Sequence, residues 1–200
     1  MVGFGARLLE MGFGRPRGPL GQVGGWLMAL GNADTERHLV ELADLSHGDV
    51  VLVLGPGPGI GLQEAGTRSG NVIGIDPSDV MLRASGKRCA ELIEQGRIRL
   101  VRGVAEDTGQ PAASVNVVLA VNSVQIWPDW QAAFAELFRV LRPGGRLLLS
   151  THAKWLPGGE SALATAVERA GFVQIEIWMW EPLGRGASTA VQLRARRPVR

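Results

Sequence analysis

The chain has 200 residues, of which 46% are hydrophobic and 20% are charged, a balance typical of one globular domain and unlike that of disordered chains. No apolar run approaches the roughly 18 residues of a membrane span, and the first residues lack a signal-peptide pattern. We therefore expect a cytoplasmic protein without a membrane partner. The single cysteine, Cys89, excludes an intrachain disulfide and a metal site built from several thiolates, and no bound metal is expected.

The basic residues are concentrated at the two ends of the chain. Residues 1–31 contain three arginines and one glutamate, and residues 185–200 contain five arginines and no acid. The segment between them, residues 32–184, has 13 basic and 18 acidic residues. Because a groove for nucleic acid needs its cations on a folded surface, this distribution favours solvated tails, and nucleic acid is not expected as a partner.

The first 31 residues are rich in glycine, which weakens helix and strand alike. They are predicted to form an N-terminal arm or lid, separate from a domain of residues 32–200. That domain begins with a short amphipathic helix from about Asp34, in which Leu39, Leu42 and Ala43 recur at helical spacing.

Five aliphatic runs in the domain have the composition of parallel strands that are buried on both faces. Helices are predicted between several of them, over residues 78–95 and along a buried stripe from Trp130 to Leu141 that the turn RPGG closes. The five runs are residues 50–55, 71–76, 98–101, 115–121 and 146–152.

The end of the chain departs from this alternation. After a helix over residues 161–171, two strands over residues 172–180 and 188–196 follow each other with only a short loop between them. Such a pair is antiparallel. The whole pattern predicts an α/β, doubly wound, Rossmann-like fold with a mostly parallel sheet and an antiparallel C-terminal strand pair.

A glycine-rich loop, GPGPGIG at residues 55–61, follows the first strand directly and opens a helix. In doubly wound folds a nucleotide approaches the backbone at this place. The loop does not match the dinucleotide fingerprint GxGxxG, since the sixth position is Ile60 or Leu62. Asp76 ends the second strand, 21 residues after Gly55, where a carboxylate can accept both hydroxyls of a ribose. The pattern indicates a nucleoside ligand without a diphosphate.

Together these segments resemble the class I S-adenosylmethionine-dependent methyltransferases. The resemblance covers about residues 32–196 and implies a small single-domain enzyme with a seven-stranded sheet and S-adenosyl-L-methionine as cofactor. It rests on five motifs in order: VLVLGPGPGIG, GIDPSDVML, VAED, VVLAVNSVQIWPD and LFRVLRPGGRLLLSTH.

The resemblance also implies which residues contact the cofactor. The glycine loop lies beneath the methionine part, the acid at the second strand binds the ribose, and the following helix and the VAED segment contact the adenine. An asparagine at the start of the domain closes over the cofactor. The residues so implied are Asn32, Gly55, Pro56, Gly57, Gly59, Asp76, Pro77, Met81, Ala105, Glu106, Asn122 and Ser123.

Two positions depart from the family's pattern. Most members carry an acid in the first strand, two residues before the first glycine, which orients the ammonium group of the cofactor; this chain has Val53 there. Glu64 or a water-mediated contact is expected to replace that acid. Val104 stands where many relatives have aspartate.

Candidate residues for the acceptor follow the fourth and fifth strands. His152 comes at the carboxyl edge of the sheet, where open α/β sheets bind ligands, and is the candidate catalytic residue, accepting or orienting a proton; the alternative is a loop histidine that contacts the backbone. Gln125, Trp127 and Trp155 are the candidate acceptor-binding residues. His38 and His47 are expected to be structural or solvated.

The reaction that the resemblance implies is direct displacement, in which an O, N, S or C atom of the acceptor attacks the sulfonium methyl. The apolar candidate walls predict a small-molecule acceptor. The arm, the loop AKWLPGG or a second subunit of a homodimer is expected to close the pocket. The alternatives are an RNA methyltransferase that uses the arginine-rich ends, a non-catalytic S-adenosylmethionine-binding protein, and an NAD-linked oxidoreductase.

Overall fold

The computed structural model describes residues 33–182 and 188–199. The predicted arm, residues 1–31, and the predicted cofactor contact Asn32 lie outside the described residues. None of the helices described has the length and apolar composition needed to cross a bilayer. These helices are α1 (33–42), α2 (Ile60–Arg68), α3 (Asp79–Arg88), α4 (Ala90–Glu94), α5 (Trp130–Val140) and α6 (Gly159–Arg169).

The strands form one seven-stranded sheet in the order β3-β2-β1-β4-β5-β7-β6. The first five strands are parallel, and β7 runs antiparallel to both β5 and β6. This confirms the predicted doubly wound fold with an antiparallel C-terminal pair. The strands are β1 (Val50–Leu54), β2 (Asn71–Asp76), β3 (Ile98–Arg102), β4 (Val115–Val121), β5 (Leu141–His152), β6 (Val173–Trp180) and β7 (Ala190–Arg196).

The central strand β1 is buried on both faces, as its continuous aliphatic sequence predicts. Val51 and Val53 pack on the α1 side of the sheet, in a cluster with Leu39. Leu52 and Leu54 pack on the opposite side, in the cluster that contains Phe134 of α5. Each fully buried aliphatic side chain contributes about 1.5–3 kcal/mol, so the carboxyl end of β1 is a rigid support for the loop that follows.

The helix predicted over residues 78–95 is two helices, because the chain leaves helical geometry at Cys89. This residue has φ −98° and ψ 15°, and its buried thiol donates to the carbonyl of Gly59 at 3.7 Å. The break allows α4 to turn and pack Leu92 into the core on the α2 side.

Strand β5 begins at Leu141, five residues before the predicted start at Arg146. The turn RPGG is therefore part of an irregular strand: Val115 of β4 faces Leu141, whereas Val117 faces Arg146. Leu141 is fully buried, but in β5 and not on the α5 stripe. The carboxyl ends of β4 and β5 lie side by side, and this edge carries several of the candidate site residues.

Candidate active site

The glycine loop turns sharply after β1. Gly55 has φ +62°, and a Cβ atom added to it would lie 2.8 Å from the Cβ of Ser123. Its N–H donates to Ile75 at 2.8 Å, and the Ser123 hydroxyl donates to the Leu54 carbonyl at 3.3 Å. Because the left-handed conformation and the close approach both exclude a side chain, glycine is required at this position.

Residues of α3 hold the far side of the loop. The Ser85 hydroxyl donates to the Gly57 carbonyl at 2.6 Å, and Arg88 Nε donates to the Pro58 carbonyl at 2.9 Å. A Cβ atom at Gly57 would meet no other atom within 4 Å. The contacts from α3 therefore fix one side of the loop, while open space remains beside Gly57 for a ligand.

Asp76 lies at the tip of β2 beside this loop and is only 6% exposed. Its Oδ1 accepts the N–H of Ser78 at 2.8 Å, and the backbone N–H of Gly57 also favours the charged form of the carboxylate. Burial raises the pKa of Asp76 to about 6, and these two N–H groups limit the rise. A carboxylate accepts up to about four hydrogen bonds, so Asp76 has capacity left for two ligand hydroxyls.

The segments predicted to contact adenine lie next to Asp76. The N–H of Gly103 donates to the Asp76 carbonyl at 3.4 Å, which places the loop after β3 beside the tip of β2. Met81 and Ala105 are buried, at 8% and 5% exposure. Glu106 is half-buried, and its Oε1 accepts the N–H of Asp129 at 3.3 Å. The geometry brings these predicted residues together; their contacts with the base stay predictions, as does that of Pro77.

Asn122 joins the carboxyl ends of β4 and β5. It has φ +49°, its N–H donates to the Ser150 carbonyl at 2.7 Å, and its Oδ1 accepts the N–H of His152 at 3.0 Å. The Nδ2 atom of Asn122 is buried without a partner in the described part of the chain. Since Gly55 and Ser123 are in contact, Asn122 is adjacent to the glycine loop.

His152 has an unused nitrogen at this edge. Its Nδ1 is buried and makes no hydrogen bond within residues 33–182 and 188–199. Burial lowers the pKa of the imidazole below its usual value of 6.5, and the charge of Lys154 adds to this effect. The ring is therefore neutral at pH 7 and can accept a proton.

The three candidate acceptor-binding residues differ in their surroundings. Gln125 uses its amide within the chain: Oε1 accepts from the Thr151 hydroxyl at 2.6 Å and Nε2 donates to the Asn122 carbonyl at 3.0 Å. Trp127 packs edge-on against Phe134, with ring centroids 5.7 Å apart. Trp155 is 43% exposed. Of the three side chains, Trp155 is the most available to a ligand, and all three roles stay predictions.

The structure does not place Glu64 at the loop. Its carboxylate accepts from Arg68, one turn later on α2, at 2.8 Å. The carboxylate that lies beside the loop is instead that of Glu36 on α1, a position that the sequence pattern did not predict: its Oε2 accepts the N–H of Gly61 at 2.5 Å. Burial raises the pKa of Glu36 to about 7, against the lowering effect of that N–H and of Arg88 and Arg37.

The signal that could have identified Glu36 is its spacing on α1. It lies three and four residues before Leu39 and Val40, on the face that packs against the sheet. The other two histidines make no contact with the described residues of this site: His38 stacks on Trp180, with ring centroids 4.3 Å apart, and His47 is exposed.

Comparison with known proteins identifies the family. Residues 52–149, from β1 to β5, match a family sequence profile described as a methyltransferase domain. The chain belongs to the class I S-adenosylmethionine-dependent methyltransferases. S-adenosyl-L-methionine is the cofactor of this methyltransferase, and the open space beside Gly57 together with the buried acceptor Asp76 fits its nucleoside and amino-acid parts.

Two curated relatives give the extent of the similarity. The methyltransferase is 29% identical over 130 residues to the uncharacterized methyltransferase YdaC of Bacillus subtilis (strain 168), which is 64% of this chain and 70% of that protein. It is 37% identical over 117 residues to nocamycin O-methyltransferase of Saccharothrix syringae, which is 57% of this chain but 41% of that protein. The chain thus spans less than half of the second relative.

A solved structure shows how far the fold is shared with a known protein. Phosphoethanolamine N-methyltransferase 2 of Haemonchus contortus, in complex with S-adenosyl-L-methionine, superposes with a TM-score of 0.77 at 15% identity. The superposition covers 99% of this chain and 60% of that one. At this identity the likeness describes the fold alone.

Proposed function

We propose that this methyltransferase methylates a hydroxyl oxygen of a small molecule with an apolar or aromatic body. The observation that carries the proposal is the neutral His152, whose Nδ1 is buried and unpartnered at the carboxyl edge of the sheet. A protonated hydroxyl or an acidic carbon needs a proton acceptor during methyl transfer, whereas a neutral amine does not; of the first two we propose the hydroxyl.

Residues around the glycine loop would hold the cofactor. Asp76 accepts the ribose hydroxyls, the loop from Gly55 to Gly59 lies beneath the amino-acid part, and Met81 and Ala105 border the adenine. When bound, S-adenosyl-L-methionine supplies a methyl group already activated by the positive sulfur. What remains for the protein is to align the acceptor, exclude water and take up the proton.

His152 is positioned for the last of these tasks. The main-chain N–H of His152 donates to Asn122 Oδ1 at 3.0 Å, and this hydrogen bond fixes the backbone at the end of β5. The acceptor hydroxyl passes its proton to Nδ1, and the imidazolium that forms returns the proton to solvent after the product leaves. The lowered pKa of His152 favours this release.

Apolar groups at the same edge support an apolar acceptor body. Ile126 and Trp155, which follow β4 and β5, are 39% and 43% exposed. Both side chains are therefore available to contact an apolar ligand at this edge. The relative nocamycin O-methyltransferase is named for oxygen methylation of a small molecule, and this name agrees with the proposal.

The first experiment tests cofactor binding. Isothermal titration calorimetry with S-adenosylhomocysteine should show binding by the wild-type chain, and NAD should give no heat. In Asp76→Asn the affinity should fall about a hundredfold, because two charge-assisted hydrogen bonds of about 1.5 kcal/mol each are lost. Unchanged affinity in Asp76→Asn would contradict the assignment of the ribose site.

The second experiment tests the acceptor class. Release of S-adenosylhomocysteine is measured with phenols and enols and with amines and thiols of matched size. We expect turnover with the hydroxyl compounds. Turnover confined to amines or thiols contradicts the oxygen assignment, and cofactor binding without turnover on any class indicates a non-catalytic binding protein. Turnover on RNA that is lost when the arginine-rich ends are removed indicates the RNA methyltransferase.

A further inference from the structure

Glu36 is a titratable residue at the site that the proposed mechanism does not use. It lies on α1, three and four residues before Leu39 and Val40, which pack with Val53 of β1. Residues at this spacing share one face of a helix, so Glu36 is on the face of α1 that contacts the sheet. Its contact with Gly61, the second residue of α2, places it at the carboxyl edge beside the glycine loop.

The carboxylate of Glu36 is only partly satisfied. Oε2 accepts the N–H of Gly61, and Oε1 has no hydrogen bond to any described residue. Within the described ranges Glu36 also forms no ion pair: Arg37 of its own helix pairs with Asp34, and Arg88 donates to the Pro58 carbonyl. Arg88 and Arg37 act on Glu36 only from a distance; a desolvated carboxylate without a contacting counter-ion is costly in free energy, and a cationic ligand would reduce that cost.

A small pocket, open to solvent, lies in front of this carboxylate. Glycine-loop residues Gly55 and Pro56 line it, together with Val53 and with Val121 at the end of β4. Glu36 is the one charged residue of this lining among the described residues. The pocket therefore offers a single negative group in an apolar wall, next to the loop that supports the amino-acid part of the cofactor.

We propose that Glu36 binds the ammonium group of the cofactor and takes the place of the strand acid that Val53 lacks. This inference rests on the proposed cofactor site. The ammonium is the cationic hydrogen-bond donor of S-adenosylhomocysteine, and Glu36 Oε1 is a charged acceptor beside the loop. Burial raises the pKa of Glu36 to about 7 in the free protein. Binding of the ammonium should lower this pKa again, because a neighbouring positive charge favours the ionised carboxylate.

A purely structural role for Glu36 predicts different behaviour. Gly59, which precedes α2, provides no side-chain cap, so Glu36 also satisfies a free N–H at the start of that helix. If the role were only structural, removing the charge would lower the stability of the protein. It would also weaken the binding of every ligand at the loop by the same factor. The test must therefore compare ligands that differ only in the amino-acid part.

Calorimetry with three ligands makes this comparison on wild type and Glu36→Gln. S-adenosylhomocysteine has the ammonium and the carboxylate, its decarboxylated analogue keeps only the ammonium, and 5′-methylthioadenosine has neither. In Glu36→Gln we expect the affinity for both ammonium ligands to fall about tenfold or more, the size of one charge-assisted hydrogen bond. The affinity for 5′-methylthioadenosine should stay within about twofold.

Glu64→Gln is the matched control, since Glu64 pairs with Arg68 outside the pocket; it should leave all three affinities unchanged. Equal losses for all three ligands in Glu36→Gln, or no loss for any, would overturn the role of Glu36. Failure of the wild type to bind S-adenosylhomocysteine would instead refute the cofactor site itself. Thermal unfolding of each variant shows whether it is folded.

Proton release gives a second readout that a structural role would not produce. At pH 7 the Glu36 carboxyl, with a pKa of about 7, is about half protonated. Binding of the ammonium should therefore release about half a proton, measured as the dependence of the binding heat on buffer ionisation. The release should be absent for 5′-methylthioadenosine and for Glu36→Gln. Equal release for the two ligands would count against the proposal.

Discussion

The main-chain N–H of His152 donates to the side-chain oxygen of Asn122 at 3.0 Å and connects the ends of β5 and β4. This contact joins the proposed proton acceptor to the residue next to Ser123, whose Cβ limits the space above Gly55. The residues proposed to bind the methyl acceptor and those proposed to bind the cofactor thus lie along one continuous edge of buried strands. The backbone of His152, and not its ring, makes this contact, so its buried Nδ1 keeps no hydrogen-bond partner among the described residues.

Replacing His152 by glutamine should lower kcat by about a hundredfold or more, since glutamine cannot act as a base. The affinity for S-adenosylhomocysteine should change little. In the wild type kcat/KM should be flat above pH 7 and fall at acid pH, below the usual histidine pKa of 6.5, because burial lowers the pKa of His152. The variant should lack this acid limb in the pH–rate profile.

His47→Gln serves as the control for this prediction, because His47 is exposed at the opposite edge of the sheet. It should retain wild-type kcat and the acid limb. A wild-type pH profile that persists unchanged in His152→Gln would show that another group takes the proton, or that none is needed.

The raised pKa of Asp76 predicts a specific pH dependence of stability. The unfolded chain loses the proton near pH 3.8, whereas the folded chain keeps it to about pH 6. Between these pH values the folded state binds more protons than the unfolded state. The contribution of Asp76 to the free energy of unfolding therefore falls by about 3 kcal/mol as the pH rises, and it is constant above about pH 7. Asp76→Asn removes this fall.

Urea unfolding of wild type and Asp76→Asn at pH 4 and pH 7 measures the effect. The difference in unfolding free energy should shift in favour of the variant as the pH rises between these values. Parallel pH dependences for the two proteins would mean that Asp76 is not desolvated as the structure indicates. A positive result would show that the ribose-binding acid is kept at a cost in stability.

The sequence predicts those parts of the site that depend on neighbours in the chain. The glycine loop and Asp76 each follow a buried strand, and parallel strands place such residues on one edge. Glu36 was missed because its partner, Gly61, is 25 residues away, and a helical acid before an apolar stripe usually faces solvent. The break at Cys89 likewise depends on a contact with Gly59, 30 residues distant, which no local pattern contains.

Two glycines of the loop should differ in their tolerance of alanine. Both have positive φ, +62° at Gly55 and +53° at Gly57, but an added Cβ meets Ser123 at 2.8 Å only at Gly55. Gly57→Ala should cost about 1–2 kcal/mol of stability from backbone strain alone. Gly55→Ala should cost about 1–3 kcal/mol more, because the clash forces β4 or the loop to move.

Urea unfolding of the two variants at pH 7.5 tests this order. Adding Ser123→Gly to Gly55→Ala removes the clashing atom and should recover part of the loss, while adding it to Gly57→Ala should not. Equal stabilities of the two single variants would mean that Gly55 and Ser123 are further apart than in this structure.

Glu136 of α5 supports the adenine segment from a distance. It is buried at 8% exposure, and it accepts from the Thr108 N–H at 3.0 Å, from the Thr108 hydroxyl and from Arg139. Burial alone would raise its pKa, but the hydrogen bonds from Arg139 and Thr108 outweigh burial and lower it. Thr108 follows Ala105 and Glu106, so this carboxylate fixes the loop that is predicted to border the base.

Glu136→Gln should therefore destabilise the protein by about 1–3 kcal/mol at pH 7, because a buried charge-assisted network loses its acceptor. Since the folded-state pKa is lowered, the stabilisation is present above the ordinary glutamate pKa of 4.5 and is lost as pH falls through the folded-state value. The difference in unfolding free energy between Glu136→Gln and the wild type should thus become smaller at acid pH. The affinity for 5′-methylthioadenosine should also fall.

Glu176→Gln is the control, since Glu176 of the edge strand β6 forms an exposed ion pair with Arg194 of β7 at 2.8 Å. An exposed pair of this kind contributes about 0–1 kcal/mol, and its loss should leave ligand affinity unchanged. If Glu136→Gln loses stability but binds 5′-methylthioadenosine as tightly as the wild type, the loop after β3 does not border the adenine. A parallel loss of both properties supports that assignment, because Glu136 contacts the loop through Thr108 and is not itself a predicted ligand contact.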